Sequence, residues 1–195
     1  MNSQGRIRII AGRWRGTRVP VLHSPGLRPT PDRVRETLFN WIGNDIQDSV
    51  CLDLFAGTGM LGLEAASRGA ARVWAVEREK KLSTHLQEQC HRLGANQVEV
   101  VCADALAWVK RAQEAMDYIF LDPPFGGYDF SQLLTDLEGS QLLKSTTVLY
   151  YECAVGVGQA LADTCYSKKN EGGVGWERIH NARAGRVSYN LYQRP

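Results

Sequence analysis

Apolar positions along this chain fall into short continuous runs separated by stretches with helical spacing. Strand-like runs lie near residues 50–55, 72–76, 98–102, 117–121 and 147–152, and helix-like segments near 60–69, 79–92, 105–112 and 130–138 fill the gaps. Regular βαβα alternation predicts a parallel, doubly wound α/β sheet with helices on both faces. Ahead of it, Asp32 to Ile42 shows apolar residues at helical spacing, with Pro31 suited to a first helical turn and Thr30 to its cap. Beyond it, Gly172-Gly173-Val174-Gly175 and Ala184-Gly185 bracket strand-like pieces that end in Arg186-Val187-Ser188-Tyr189-Asn190-Leu191-Tyr192. These predict a closing hairpin and one antiparallel edge. At the other end, Ile7-Arg8-Ile9-Ile10 and Arg18-Val19-Pro20-Val21-Leu22 flank Gly12 through Gly16, which predicts a small N-terminal β-hairpin. The expected organisation is an arm over residues 1–27 and one domain over 28–195.

Composition narrows the class. The 195 residues are 44% hydrophobic and 23% charged, ordinary for a folded chain large enough to bury a core. No apolar run approaches the roughly 18 residues of a membrane span, and the N-terminal arginines are not followed by an apolar signal segment. Five cysteines, Cys51, Cys90, Cys102, Cys153 and Cys165, are odd in number and form no Cys-x-x-Cys pair. They are expected as free thiols in a reducing cytoplasm, with no metal, and Cys51, Cys102 and Cys153 as buried ones. His23, His85, His91 and His180 have no motif around them and are expected in surface or packing roles.

The charge is unevenly placed. Residues 1–35 hold eight arginines against Asp32 alone, a net +7, so the rest of the chain carries −5 of the +2 total. Arginine grips phosphate bidentately and stacks on bases, and Trp14 lies among these cations. An ordered hairpin bearing Arg6, Arg8, Arg13, Trp14, Arg15 and Arg18, with Arg28 after it, points to a nucleic-acid grip.

Candidate chemistry sits at strand ends, where open α/β sheets bind ligands. Gly57, Gly59 and Gly62 satisfy the G-x-G-x-x-G dinucleotide pattern after the first core strand, and Glu77 ends the second. Asp53 argues against a dinucleotide, because a carboxylate beside the glycine turn would oppose an anionic pyrophosphate. S-adenosylmethionine carries no phosphate; its ammonium and sulfonium groups turn the same acid into an attraction. Glu77 is then expected on the ribose hydroxyls and Asp104 on the adenine amine. The fourth strand ends in Asp122-Pro123-Pro124-Phe125. Two prolines stop the strand and supply carbonyls without N–H donors, so an exocyclic amine can donate to Asp122 and the Pro123 carbonyl while its ring stacks on Phe125.

Taken together, the segments Arg28-Pro-Thr-Pro-Asp-Arg-Val-Arg-Glu-Thr-Leu-Phe-Asn-Trp41, Asp53-Leu-Phe-Ala-Gly-Thr-Gly59 with Leu61-Gly-Leu-Glu-Ala65, and Asp122-Pro-Pro-Phe125 resemble the bacterial 16S rRNA guanine-N2 methyltransferases of the RsmD type. The similarity runs from Arg6 to Arg194, nearly the whole chain. It implies a seven-stranded, mostly parallel, Rossmann-like class I methyltransferase sheet with an N-terminal β-hairpin. It also implies S-adenosylmethionine as donor, 16S rRNA in the assembled or assembling small subunit as substrate, and a monomer. Asp122, Pro123, Pro124 and Phe125 become the catalytic motif, and Phe55, Ala105 and Thr30 join Asp53, Gly57, Gly59, Glu77 and Asp104 around the donor. Pro31 follows Thr30 where the family often has a second small hydroxyl residue, so that side chain's contact does not carry over. Two other activities share parts of this pattern: adenine-N6 methylation of DNA, and hydride transfer with a nicotinamide. A nucleic-acid-binding module of the same fold that no longer reacts is a third reading, against which the intact acids and glycines argue.

Overall fold

The computed structural model describes residues 5–22, 30–124, 128, 130–155 and 175–194. It divides into two compact units, Met1–Ala105 and Leu106–Pro195.

In the first unit, β1 (Gly5–Arg8) and β2 (Arg18–Val21) form the antiparallel hairpin, in register from Gly5 beside Val21 to Arg8 beside Arg18. Helix α1 (Asp32–Ile42) starts where the Pro31 carbonyl accepts the Val34 and Arg35 N–H groups at 2.9 and 3.1 Å. It buries Val34, Leu38, Phe39 and Ile42 along one stripe and stops at Gly43, whose φ of 65° favours glycine. Strands β3 (Val50–Asp53), β4 (Arg72–Glu77) and β5 (Val98–Cys102) then pair in parallel. The crossovers are α2 (Met60–Ser67), buried at every residue, and α3 (Lys80–Leu93), which buries Leu82, Leu86 and Cys90 at four-residue spacing. β3 ends at Asp53 because Leu54 and Phe55, apolar though they are, already enter the glycine turn.

The second unit begins within the short helix α4 (Ala105–Val109). Strand β6 (Met116–Leu121) runs parallel to β7 (Leu143–Ala154), with α5 (Phe130–Glu138) between them in sequence. β8 (Glu177–Ala184) and β9 (Val187–Gln193) form a hairpin turned at Gly185, and β9 pairs antiparallel with β7. β7 begins four residues before its apolar run. Thr147 replaces ladder bonds there, donating to the Met116 carbonyl at 2.7 Å and accepting the Lys144 N–H at 2.8 Å, where the β6–β7 register shifts. Across the sheet the strand order is β5-β4-β3-β6-β7-β9-β8, the mostly parallel seven-stranded sheet that the resemblance implies, with the antiparallel edge that the apolar pattern predicts. Cys102 departs from expectation: it is exposed, at the end of edge strand β5, whereas Cys51, Cys90 and Cys153 are buried. Burial pushes the Cys90 and Cys153 thiols up to about 11, so both stay protonated at neutral pH. Cys165 lies outside the described residues. Among those residues no helix is long and apolar enough to cross a membrane.

Candidate functional site

The arginine hairpin is stitched onto helix α2. Glu64, fully buried in that helix, accepts the Ile10 and Ala11 N–H groups at 2.8 and 3.0 Å. Its two oxygens also take Arg35 at 3.3 Å and Arg68 at 2.8 Å, so one carboxylate holds four donors from three segments. One turn along, Ser67 accepts the Trp14 N–H and donates to the Ala11 carbonyl, while its own carbonyl takes the Arg13 N–H at 2.7 Å. Gly12 is required at this crossing: φ is 80° and a Cβ would stand 1.8 Å from the Ser67 carbonyl oxygen.

That anchoring leaves Arg6, Arg8, Arg13, Arg15 and Arg18 exposed, Arg8 lying 3.6 Å from Asp32. Two other members of the basic segment turn inward and correct the sequence reading. Trp14 is only 8% exposed, so its indole packs beneath the loop and presents no open face on which a base could stack. Arg35 is fully buried, bound to Glu64, Asp32 and the Arg8 carbonyl, because a desolvated guanidinium must be paired. Its charge therefore belongs to the interior. Arg28 lies outside the described residues.

At the end of β3 the chain makes the glycine turn. Gly57 and Gly59 have φ of 51° and 74°, and a Cβ on Gly59 would stand 2.2 Å from Leu86 Cδ1. The Glu77 carboxylate straps this turn to β4: Oε2 accepts the Gly57 N–H at 2.9 Å and Oε1 the Glu79 N–H at 2.7 Å. Asp53 is 2% exposed and accepts the Gly62 N–H at 2.9 Å, placing negative charge under the first turn of α2, where the helix dipole favours it. Asp104 stands exposed after β5, tied in through the Ala103 N–H to the Glu77 carbonyl at 3.1 Å. Ala105 is buried as the first residue of α4, Phe55 is half-buried in the turn, and Thr30 is buried just before α1. Residues 53–62 include no Lys or Arg, so the turn itself offers the Asp53 carboxylate and backbone N–H groups.

In the second unit, Asp122 follows β6 half-buried, with Pro123 buried and Pro124 exposed; Phe125 lies outside the described residues. Beside it on β7, the buried Tyr150 hydroxyl donates to Glu152 Oε1 at 2.7 Å. Burial and the Glu152 carboxylate hold that hydroxyl's pKa well above its ordinary value, with Asp122 adding in the same direction. Sequence reasoning passed over Glu152, although it is a lone acid inside the apolar run Val148-Leu-Tyr-Tyr-Glu-Cys-Ala154, where a charge signals a specific partner.

Known proteins bear out the likeness. The family model described as Conserved hypothetical protein 95 matches residues 7–193. The chain is 39% identical over 193 residues to Ribosomal RNA small subunit methyltransferase D of Escherichia coli K12, covering 99% of this chain and 92% of that protein. It is 40% identical over 196 residues to the protein of the same name from Haemophilus influenzae, covering 98% and 96%. The solved structure of Escherichia coli yhhF superposes with a TM-score of 0.81 at 38% identity over 97% of this chain and 98% of that one. An RNA methyltransferase of Salinibacter ruber, solved with S-adenosyl-L-homocysteine, gives a TM-score of 0.61 over 86% of this chain and 94% of that one at 17% identity, a likeness of fold alone.

Proposed function

The chain belongs to the ribosomal RNA small subunit methyltransferase D family, and we propose that it transfers a methyl group from S-adenosylmethionine to the exocyclic N2 amine of one guanine in 16S rRNA of the assembled or assembling small ribosomal subunit. The observation that carries this reading is the glycine turn strapped by Glu77 and undercut by Asp53. Carboxylates at those points repel a pyrophosphate and attract a cationic, phosphate-free nucleoside. A carboxylate has about four lone-pair positions, so Glu77 can hold Gly57 and Glu79 and still accept ribose hydroxyls. Asp104 accepts from the adenine amine, Asp53 supplies negative potential toward the ammonium and sulfonium groups, and Phe55, Ala105 and Thr30 enclose the donor.

S-adenosylmethionine supplies, when bound, a methyl group on a cationic sulfur. The residues of this chain act on the acceptor. The guanine N2 lone pair is delocalised into the ring and is a poor nucleophile. Donation from the amine to Asp122 and the Pro123 carbonyl orients that lone pair and stabilises the positive charge that grows on nitrogen as the bond forms. The nitrogen becomes acidic only then, and Asp122 takes its proton. Phe125 holds the flipped base by stacking, worth about 1–3 kcal/mol. The exposed arginines of the hairpin bind rRNA phosphates.

The test is transfer of labelled methyl groups to small subunits from cells that lack this protein, followed by nucleoside digestion and mass spectrometry. N2-methylguanosine is the expected product. N6-methyladenosine, or no transfer by protein that binds the donor, overturns the reading.

A further inference from the structure

We propose that Glu152 selects guanine by accepting the N1–H of the target base beside the amine held at Asp122. The inference rests on the assignment of Asp122 to that amine. β6 and β7 run parallel with Phe120 beside Tyr150 and Leu121 beside Tyr151, so the next pair in that register is Asp122 and Glu152. Tyr150 and Glu152, two residues apart on one strand, share a face, and the Tyr150 hydroxyl donates to Glu152 Oε1 at 2.7 Å. Its only proton is thereby engaged, which leaves it lone pairs toward any other group. Pro123 and Pro124 add carbonyls and no N–H.

The end of β6 and the stretch of β7 beside it thus offer acceptors to an incoming base. Guanine suits them, because N1–H and the N2 amine are adjacent donors on one edge. Adenine presents its amine beside the bare N1 lone pair, and cytosine its amine beside bare N3, so either would turn a lone pair toward a carboxylate. Glu152 is 4% exposed, so water does little for its charge and a donor brought by the base counts for more than at an open surface.

The experiment uses reconstituted small subunits carrying either guanine or 2-aminopurine at the nucleotide the wild-type protein methylates. 2-Aminopurine keeps the N2 amine and lacks both N1–H and O6, so the change of preference in Glu152→Gln is what assigns the effect to N1–H. Wild-type kcat/KM should fall about 10- to 100-fold on 2-aminopurine, the span of one hydrogen bond to a charged acceptor. In Glu152→Gln the Tyr150 hydroxyl claims the new amide oxygen and turns its NH2 toward the base. The guanine preference should then disappear in favour of 2-aminopurine, with donor affinity by calorimetry unchanged. Absence of discrimination by the wild type, or undiminished discrimination by Glu152→Gln, overturns the proposal. Tyr150→Phe supplies a second variant: it keeps the carboxylate, so reduced kcat/KM with guanine still preferred supports Glu152, and loss of the preference overturns it. Product analysis separates this from the parent reading, since a methyl group on any atom other than guanine N2 refutes the assignment of Asp122 itself.

Discussion

Glu64 and Glu77 carry the same carboxylate and each accepts two backbone N–H groups, yet their surroundings differ. Glu64 sits at zero exposure in a wholly buried helix and adds two guanidinium donors to its two amides, so its acceptor capacity is spent on the fold. Glu77 stands half-exposed at a strand end, fixed in place by Gly57 and Glu79, with acceptor capacity left for a ligand. An acid saturated from all sides is a clamp; an acid held by its backbone neighbours and open on one side has the form the proposed receptor needs. The difference lies in how many donors reach each oxygen.

The most forceful way to break that contrast is Glu64→Ala. It removes one of the two carboxylates that pair buried Arg35 and leaves two hairpin N–H groups without their acceptor, so urea denaturation should show a loss of about 3–5 kcal/mol, the scale for removing one partner of a buried ion pair. Donor affinity of the molecules that remain folded should not change. A loss below about 1 kcal/mol, the size of an exposed pair, would mean that the hairpin holds without its clamp.

Asp122→Ala comes next in size. Turnover should fall by roughly 10²–10³ while fold and donor binding persist, the scale for losing one oriented polar group at a reacting centre. Equal losses in turnover and donor affinity would move Asp122 to the donor site and refute its role at the amine.

Glu77→Ala sharpens the contrast from the receptor side. Calorimetry should show donor binding weaker by about 1–3 kcal/mol, with a stability loss well short of that in Glu64→Ala. If stability fell as far as in Glu64→Ala and donor affinity held, Glu77 would be a second clamp.

How far these roles were legible follows from the same contrast. Strand-end acids, glycines and Pro-Pro are local signals, so the glycine turn and the ends of β3, β4 and β6 could be read from the motif, and the βα alternation carried the order of the core elements. The clamp joins residues more than fifty positions apart, from Ile10 to Glu64, and no local pattern shows that. A trace was present. Arg35 falls on the stripe of α1 that buries Val34, Leu38, Phe39 and Ile42, and Glu64 is the one charge in Met60–Ser67. A lone cation on one apolar stripe and a lone anion on another are physically tolerable only as partners. The net charge of the arm concealed this, because a sum treats the interior Arg35 and the exposed Arg13 alike. Strand limits were lost where side chains stand in for backbone bonds, as Thr147 does at the start of β7.

The smallest expected effects separate the two kinds of residue within the arm itself. Arg13 and Arg15 are exposed, while Trp14 between them is buried with its amide on Ser67. Reversing both arginines should weaken rRNA binding at low salt and flatten its salt dependence by about 0.7–0.9 in slope for each phosphate no longer neutralised. Donor affinity should hold, because the glycine turn is formed by other residues. Trp14→Phe should leave rRNA affinity within about twofold, since the roughly 1–3 kcal/mol of a stacked base is not there to lose, and should instead lower thermal stability through looser packing under the loop. A large drop in rRNA affinity in Trp14→Phe with unchanged stability would show that the indole leaves its pocket to meet RNA, and the arm would then grip bases as well as phosphates.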